Sequence, residues 1–214
     1  TNRELYKTIK KFGFGEKTNI MLPNENHGIL RHPETWSKNS KTFIAIGQEL
    51  SSTTLQIALG YSAIANGGKL IEPRIIKKVV SPNKIYSFEN KAIRNIASAD
   101  VMNKIKYFLE KVVSDGTGQN AKINHFKIGG KTGTAEKFIN GKYSKKKFIS
   151  SFAGVFPIDK PQYVCVIIID SPEYGKHWGS ETAAPIVKNI FSKIIHLTNY
   201  KEEKDRNNLI VHNE

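Results

Sequence analysis

Residues 127–138 read KIGGKTGTAEKF, with two glycines before Lys131 and Thr-Gly-Thr after it. Side chains alternate between the two faces of an extended strand, so Thr132 and Thr134 share one face and lie about 7 Å apart. Two hydroxyls at this spacing can both hydrogen-bond one carboxylate group. Gly133 has no side chain, so a second extended chain can lie against this strand and add to its sheet. The stretch therefore predicts a strand that binds a peptide carrying a carboxylate.

Lys131 adds an ammonium group beside the two hydroxyls, and this group provides positive potential for a carboxylate. Strict alternation places Lys131 on the opposite face, so we expect its long side chain to reach around the strand edge. The structural alternative is a solvated lysine next to threonines that serve only strand propensity. We favour a functional motif because GGKTGTAEK follows a DGTG loop and precedes two clear strands.

Four segments have apolar residues at helical spacing. The first contains Leu5, Ile9 and Phe12 and ends at Gly13. Thr53 and Gln56 form a capping box at the start of the second, Ser98 opens the third, and the fourth begins near Pro185. The predicted buried stripes are Leu55, Ala58, Tyr61, Ile64 and Ala65 in the second helix; Val101, Ile105, Phe108 and Val112, widened by Met102 and Leu109, in the third; and Val187, Ile190, Phe191 and Ile194 in the fourth.

Three strands are predicted at Phe126–Phe138, Lys147–Phe156 and Tyr163–Asp170. Because short turns join them, they should form an antiparallel meander. The lysine cluster at residues 141–148 is placed in a hairpin turn, and a separate hairpin is predicted around residues 81–83. Helices followed by antiparallel strands and a closing helix indicate an α+β fold, with an antiparallel sheet flanked by helices.

The chain has 214 residues, 39% of them hydrophobic and 24% charged, which is typical of a globular protein. The net charge of +14 comes from scattered lysines, so we favour a solvated basic surface over a nucleic-acid or membrane interface. The single cysteine, Cys165, excludes an internal disulfide. The six histidines are dispersed without zinc spacing, and neither a metal nor a cofactor is predicted.

GKTGTAEK resembles KTG, the third motif of the penicillin-recognising serine enzymes. Together with IGQELSSTTLQIALGYSAIANGG at residues 46–68, it is similar to the class B penicillin-binding proteins, the D,D-transpeptidases that cross-link peptidoglycan. Three further stretches resemble this family in order and spacing: FGFGEKTNI at 12–20, DGTGQNA at 115–121 and WGSETAAPIVKNI at 178–190. The resemblance covers nearly the whole chain except its tail. It implies part of a transpeptidase domain with a serine β-lactamase-like fold over residues 1–199, followed by a flexible tail at 200–214.

The resemblance also implies roles for four residues. Lys131 would support the proton network and the substrate carboxylate, and Thr132, Gly133 and Thr134 would form the substrate-binding set. The two threonines would bind the carboxylate of a donor peptide or of a β-lactam. The backbone N–H of Thr134 would supply half of an oxyanion hole, which makes Lys131 and Thr134 the expected catalytic residues.

In this family two motifs precede KTG: S-x-x-K, with the acylated serine and its activating lysine, and S-x-N. Ser81–Lys84 matches both but is predicted to be a turn, and Ser144–Lys147 lies after KTG. Ser37–Asn39 matches S-x-N, but the family's counterpart of FGFGEKTNI follows that motif. We interpret all three as accidents of composition. Because the first residue is also not Met, we expect a C-terminal portion of the domain that lacks its nucleophile and is inactive alone.

The implied ligands are the peptidoglycan stem peptide and β-lactams, and the implied partners are cell-wall synthesis or divisome proteins. The implied location is the bacterial cytoplasmic membrane, with this domain on its extracytoplasmic side, in septal or elongation wall synthesis. A β-lactamase or carboxypeptidase relative is one alternative, and a non-catalytic penicillin sensor or interaction module is another. Residues 173–180 join the last strand to the last helix, either as a surface loop or as part of the site. The DGTG segment is predicted to be a flexible turn near the cleft.

Overall fold

The computed structural model describes residues 1–198 and 200. The chain divides into two compact units, residues 1–105 and the residues from 106 onward. The predicted tail at 200–214 lies outside the described residues, apart from Tyr200. The helices are α1 Asn2–Lys11, α2 Ser40–Ala45, α3 Thr54–Ala65, α4 Ala99–Ser114, α5 Gly179–Thr182 and α6 Ala184–Thr198. The strands are β1 Lys69–Ile71, β2 Lys78–Ser81, β3 Lys84–Ser87, β4 Ala92–Asn95, β5 Gly129–Ile139, β6 Lys142–Phe156 and β7 Tyr163–Asp170.

The second unit is built on the predicted meander, in which β5, β6 and β7 pair antiparallel in that order. Thr132 lies opposite Phe152 in the β5–β6 pair. Phe152 is fully buried and packs in one cluster with Val187 and Phe191 of α6. The α+β fold and the packing of the closing helix on the sheet are therefore confirmed.

The predicted position of the β5–β6 turn is wrong. The chain reverses at Asn140 and Gly141, whose φ angles are 50° and 82°. This left-handed pair of residues is the conformation of a two-residue hairpin turn, and Asn-Gly adopts it readily. Most of the lysine-rich segment predicted as a turn, residues 142–147, instead forms the exposed first part of β6.

Helix α4 begins directly after Ser98, as predicted, but its buried side differs from the predicted stripe. Met102, Leu109 and Val113 are buried, whereas Val101 is 45% and Phe108 is 64% exposed. Apolar residues occupy adjacent positions along this helix, so its periodicity alone does not determine which side is buried. Met102 belongs to the core of the first unit and Val113 to the core of the second.

The capping box of α3 is confirmed, but the predicted buried stripe of this helix is only half-buried. The buried positions are Gln56, Leu59, Gly60 and Ala63. Gln56 is buried because its amide is fully used: Oε1 accepts from the Thr53 N–H, and Nε2 donates to the carbonyls of Glu16 and His27. Leaving a buried amide without partners costs about 1–3 kcal/mol, so this side chain fixes the loop around it.

The predicted hairpin around residues 81–83 is present as β2 and β3, which form a separate two-stranded sheet. All eight strand residues are exposed. Val79 pairs with Tyr86, and Val80 pairs with Ile85. Neighbouring pairs point to opposite sides, so both faces of this hairpin carry exposed apolar side chains.

Candidate active site

The Lys-Thr-Gly-Thr sequence lies near the start of β5, at the edge of the three-stranded sheet. Its inner side pairs with β6, and no strand among the described residues pairs with its outer side. Thr132, Gly133 and Thr134 are half-buried, whereas Lys131 is exposed. The candidate site is therefore an open strand edge that an extended peptide can reach.

The side chain of Lys131 reaches around the strand as expected. Its Nζ donates to the main-chain oxygen of Thr132 at 2.9 Å and to the Thr132 hydroxyl at 3.4 Å. Long lysine side chains can do this because the four-carbon stem is flexible. The ammonium group therefore lies beside the hydroxyl of the following residue, although the two Cβ atoms point to opposite faces.

Two carboxylates of the second unit are engaged by groups other than Lys131. Lys137 donates to Asp170 at 2.5 Å and holds the pKa of this carboxyl group below its usual value. The Ser114 hydroxyl has the same effect on the pKa of Asp115. Lys131 makes no ion pair within the part of the chain that the structure describes, so its charge is available to an anionic ligand at the strand edge.

The hydroxyl of Thr132 also contacts a loop that precedes the strand. Thr117 lies between α4 and a short 3-10 helix at Gln119–Ala121, and its Oγ1 is 3.0 Å from Oγ1 of Thr132. Sequence reasoning identified the DGTG segment only as a turn near the cleft and assigned no role to Thr117. The available signal was the recurrence of the dipeptide Thr-Gly, at residues 117–118 and again 15 residues later at 132–133 of the motif.

The hydroxyl of Thr134 contacts a segment that follows the sheet. Its Oγ1 accepts a hydrogen bond of 3.1 Å from the backbone N–H of Gly179, the first residue of α5. One lone pair of this hydroxyl is therefore occupied, and its proton remains free to donate. The two threonines of the motif are thus held by two different loops.

The loop between β7 and α5 is fixed against the sheet by stacked rings. The His177 ring lies 3.9 Å from the Phe148 ring and 4.9 Å from the Trp178 ring. The buried Ser150 hydroxyl donates to the His177 carbonyl, and His177 Nδ1 accepts from the Gly175 N–H. Because Ser150 lies opposite Thr134 in the strand register, this packing also positions Gly179.

Gly179→Ala is expected to lower stability by about 1–3 kcal/mol, the usual cost of overpacking a close contact. A Cβ atom at this position would collide with the main-chain oxygens of Ser151 and Gly133, which cannot rotate away. Gly133→Ala is the matched control, because its Cβ would meet only the movable hydroxyl of Ser151. Urea denaturation of the 214-residue chain measures the difference, and equal midpoints for the two variants would contradict it.

The three serines that match S-x-x-K or S-x-N, and that we interpret as accidents of composition, lie in turns, in strands or before a short helix. Ser81 Oγ donates to the Lys84 carbonyl at 2.9 Å, at the β2–β3 turn. Ser144 Oγ accepts two backbone N–H groups within β6. Ser37 lies before α2, where its hydroxyl contacts that of Ser40 at 3.1 Å. None of these three serines starts a buried helix, which is the position of the nucleophile that the resemblance implies.

The features of a cavity, a metal site and a membrane span lie apart from β5 or are absent from the described residues. A cavity of about 140 Å³ in the first unit is lined by Gln56, Glu16 and Arg94 among others, and shares no residue with β5. The described residues contain no group of three or more metal-binding side chains. Within the same residues, none of the helices combines the length and the hydropathy that crossing a bilayer requires.

Comparison with known proteins places these features in a family. A profile described as "Penicillin binding protein transpeptidase domain" matches residues 1–192. Stage V sporulation protein D of Bacillus subtilis is 40% identical, over 87% of this chain and 29% of that protein. Penicillin-binding protein PbpB of Mycolicibacterium smegmatis is 35% identical, over 89% of this chain and 31% of that protein. The FtsI homolog of Mesostigma viride, a peptidoglycan D,D-transpeptidase, is 33% identical, over 90% of this chain and 35% of that protein.

Solved structures agree with these matches. Penicillin-binding protein 3 of Mycobacterium tuberculosis in complex with ampicillin has a TM-score of 0.85 and 32% identity, over 92% of this chain and 46% of that chain. The transpeptidase domain of Burkholderia pseudomallei penicillin-binding protein 3 has a TM-score of 0.83 and 27% identity, over 95% of this chain and 60% of that chain. The chain spans about a third of the length of the curated relatives it matches. Its sequence, its fold and its KTG-bearing edge strand all lead to one assignment: the chain belongs to the penicillin-binding protein transpeptidase family.

Proposed function

We propose that the longer protein containing these residues is a serine-type peptidoglycan D,D-transpeptidase that binds its donor stem peptide along the outer edge of β5. One observation carries the proposal. The outer edge of β5, which no described strand covers, presents two threonine hydroxyls on one face. Beside the first lies the ammonium of Lys131, which forms no ion pair with any described residue. A peptide with a terminal carboxylate can pair with such an edge and place its charge at these groups.

In this proposal each residue of the motif has a separate task. The hydroxyls of Thr132 and Thr134 donate to the substrate carboxylate, and Lys131 contributes its charge. Gly133 lets the substrate backbone approach the strand. The Thr134 N–H provides one donor of an oxyanion hole, where preorganised donors stabilise the charge that develops on the carbonyl oxygen during acylation.

The proposal extends to location, ligands and partners. The catalytic domain would act on the extracytoplasmic side of a bacterial membrane, where peptidoglycan is cross-linked, and would meet cell-wall synthesis proteins there. β-Lactams would occupy the same edge. Support comes from the M. tuberculosis relative that was solved with ampicillin and from relatives named as peptidoglycan D,D-transpeptidases.

The longer protein is expected to transfer a donor peptide that ends in D-alanyl-D-alanine to an acceptor amine. The nucleophilic serine attacks the penultimate carbonyl, the terminal D-alanine leaves with its amine, and the acceptor amine then displaces the serine. Mass spectrometry distinguishes the cross-linked product from simple hydrolysis. Hydrolysis without transfer would indicate a carboxypeptidase, and no release of D-alanine would indicate a non-catalytic module. Either result would overturn the proposed activity.

A further inference from the structure

The strongest observation that the proposed function leaves unexplained is the contact between two hydroxyls at the strand edge. Oγ1 of Thr117 lies 3.0 Å from Oγ1 of Thr132. The loop that carries Thr117 is anchored by two hydrogen bonds from residues that follow it. The Gly118 N–H donates to the Val112 carbonyl at 2.8 Å, and Asn120 Nδ2 donates to the Ser180 carbonyl at 2.9 Å. These bonds fix the main chain next to Thr117, and this fixed main chain keeps the Thr117 side chain close to Thr132.

Because the hydrogen-bonding capacity of Thr132 is limited, its contact with Thr117 decides where the Thr132 proton points. A threonine hydroxyl has one proton and two lone pairs. Lys131 can only donate, so its Nζ, 3.4 Å away, uses a lone pair of Thr132. If Thr117 donates into the other lone pair, the Thr132 proton must point elsewhere, toward the open strand edge. If Thr132 donates to Thr117 instead, the Thr132 hydroxyl has no proton left to donate to a ligand at the edge.

We propose that Thr117 is a positioning residue that orients the Thr132 hydroxyl as a donor to the substrate carboxylate. This inference rests on the proposed function. A carboxylate at the edge accepts hydrogen bonds only, so its arrival selects the arrangement in which Thr132 donates outward and Thr117 donates to Thr132. Thr117 thus acts on the ligand through Thr132 and does not touch it.

The observations support a purely structural role for the Thr117 hydroxyl less well than a positioning role. Thr117 is an exposed loop residue, and its only described side-chain hydrogen bond goes to Thr132. An exposed hydroxyl pair contributes little to folding because water replaces either partner. Thr117→Val should therefore leave the melting temperature nearly unchanged while it alters binding at the edge.

The test measures acylation of the longer protein by benzylpenicillin and by its methyl ester, which lacks the carboxylate charge. Thr117→Val is expected to lower the affinity for benzylpenicillin about tenfold and to change the affinity for the ester little. The reason is that a hydrogen bond to a charged group is stronger than one to a neutral group. Thr117→Ser should retain nearly full affinity because it keeps the hydroxyl. Thr8→Val, in α1, is the matched control for the same chemical change.

A double-mutant cycle separates positioning from independent effects. If Thr117 acts through Thr132, Thr117→Val should cost nothing further in a Thr132→Val background. Additive losses, an unchanged affinity in Thr117→Val, or an equal loss with the ester would each overturn the inference while acylation itself persists. Failure of the unsubstituted protein to be acylated by either compound would instead overturn the proposed function and this inference with it.

Discussion

The 214-residue chain, incubated with a fluorescent penicillin and then denatured, is expected to carry no covalent label. A serine oxygen becomes a nucleophile only when a neighbouring base takes its proton. Ser81 does not meet this requirement, because its hydroxyl donates to the Lys84 carbonyl while the Lys84 ammonium lies 4.6 Å above the Tyr86 ring. In Ser144 the hydroxyl oxygen accepts from two backbone N–H groups.

The positive control for this experiment is the longer protein that we propose, which would carry an S-x-x-K motif and should be labelled stoichiometrically. Replacing the serine of that motif with alanine should abolish the signal. A stoichiometric label on the 214-residue chain, mapped by peptide mass spectrometry to Ser81 or Ser144, would show that one of the accidental matches is a true active site.

Lys131→Ala in the longer protein is expected to lower the second-order rate of acylation by penicillin about 10²- to 10³-fold. This is the typical cost of removing one charged or oxyanion-stabilising donor from an active site. The melting temperature should change little, because Lys131 is exposed and its alkyl chain fills no part of the core. Stopped-flow acylation and thermal unfolding of the same preparations measure both quantities.

Two variants sharpen this prediction. Lys146→Ala removes an exposed lysine from β6 and controls for the loss of one positive charge. Thr134→Val should reduce the rate less than Lys131→Ala, because the backbone N–H of residue 134 survives the change. An unchanged rate in Lys131→Ala would refute its catalytic role, and a collapsed melting temperature would assign it a structural one.

The sheet could be predicted from the sequence because the residues that specify it are close together along the chain. Strand patterns joined by short turns specify an antiparallel meander, and the hydroxyls of Thr132 and Thr134 must share a face on any extended strand. The same reasoning misplaced the β5–β6 turn, because the lysines of residues 142–147 suggested solvent exposure and were taken to mean a turn. A strand that extends beyond the core, as the first part of β6 does, also exposes its lysines to solvent.

The buried sides of the helices and the contacts of the site could not be predicted in this way. In α4, apolar residues at 101, 102, 108 and 109 offer two overlapping stripes, and only tertiary packing selects Met102 and Leu109. The partners of the two site hydroxyls are 15 and 45 residues distant in sequence. No periodicity connects positions so far apart, so Thr117 and Gly179 emerge only from the folded structure.

The isolated hairpin of β2 and β3 has a consequence for the behaviour of the chain in solution. Neither strand pairs with a third strand among the described residues, and both faces carry exposed apolar side chains, so the hairpin can template strand addition between copies. The exposed lysines Lys77, Lys78 and Lys84 lie in or next to these strands, and we expect their charges to make approaching copies repel one another. Salt weakens this repulsion, because the screening length falls from about 10 Å at 0.1 M to about 3 Å at 1 M. We therefore expect added salt to promote association between copies through this hairpin.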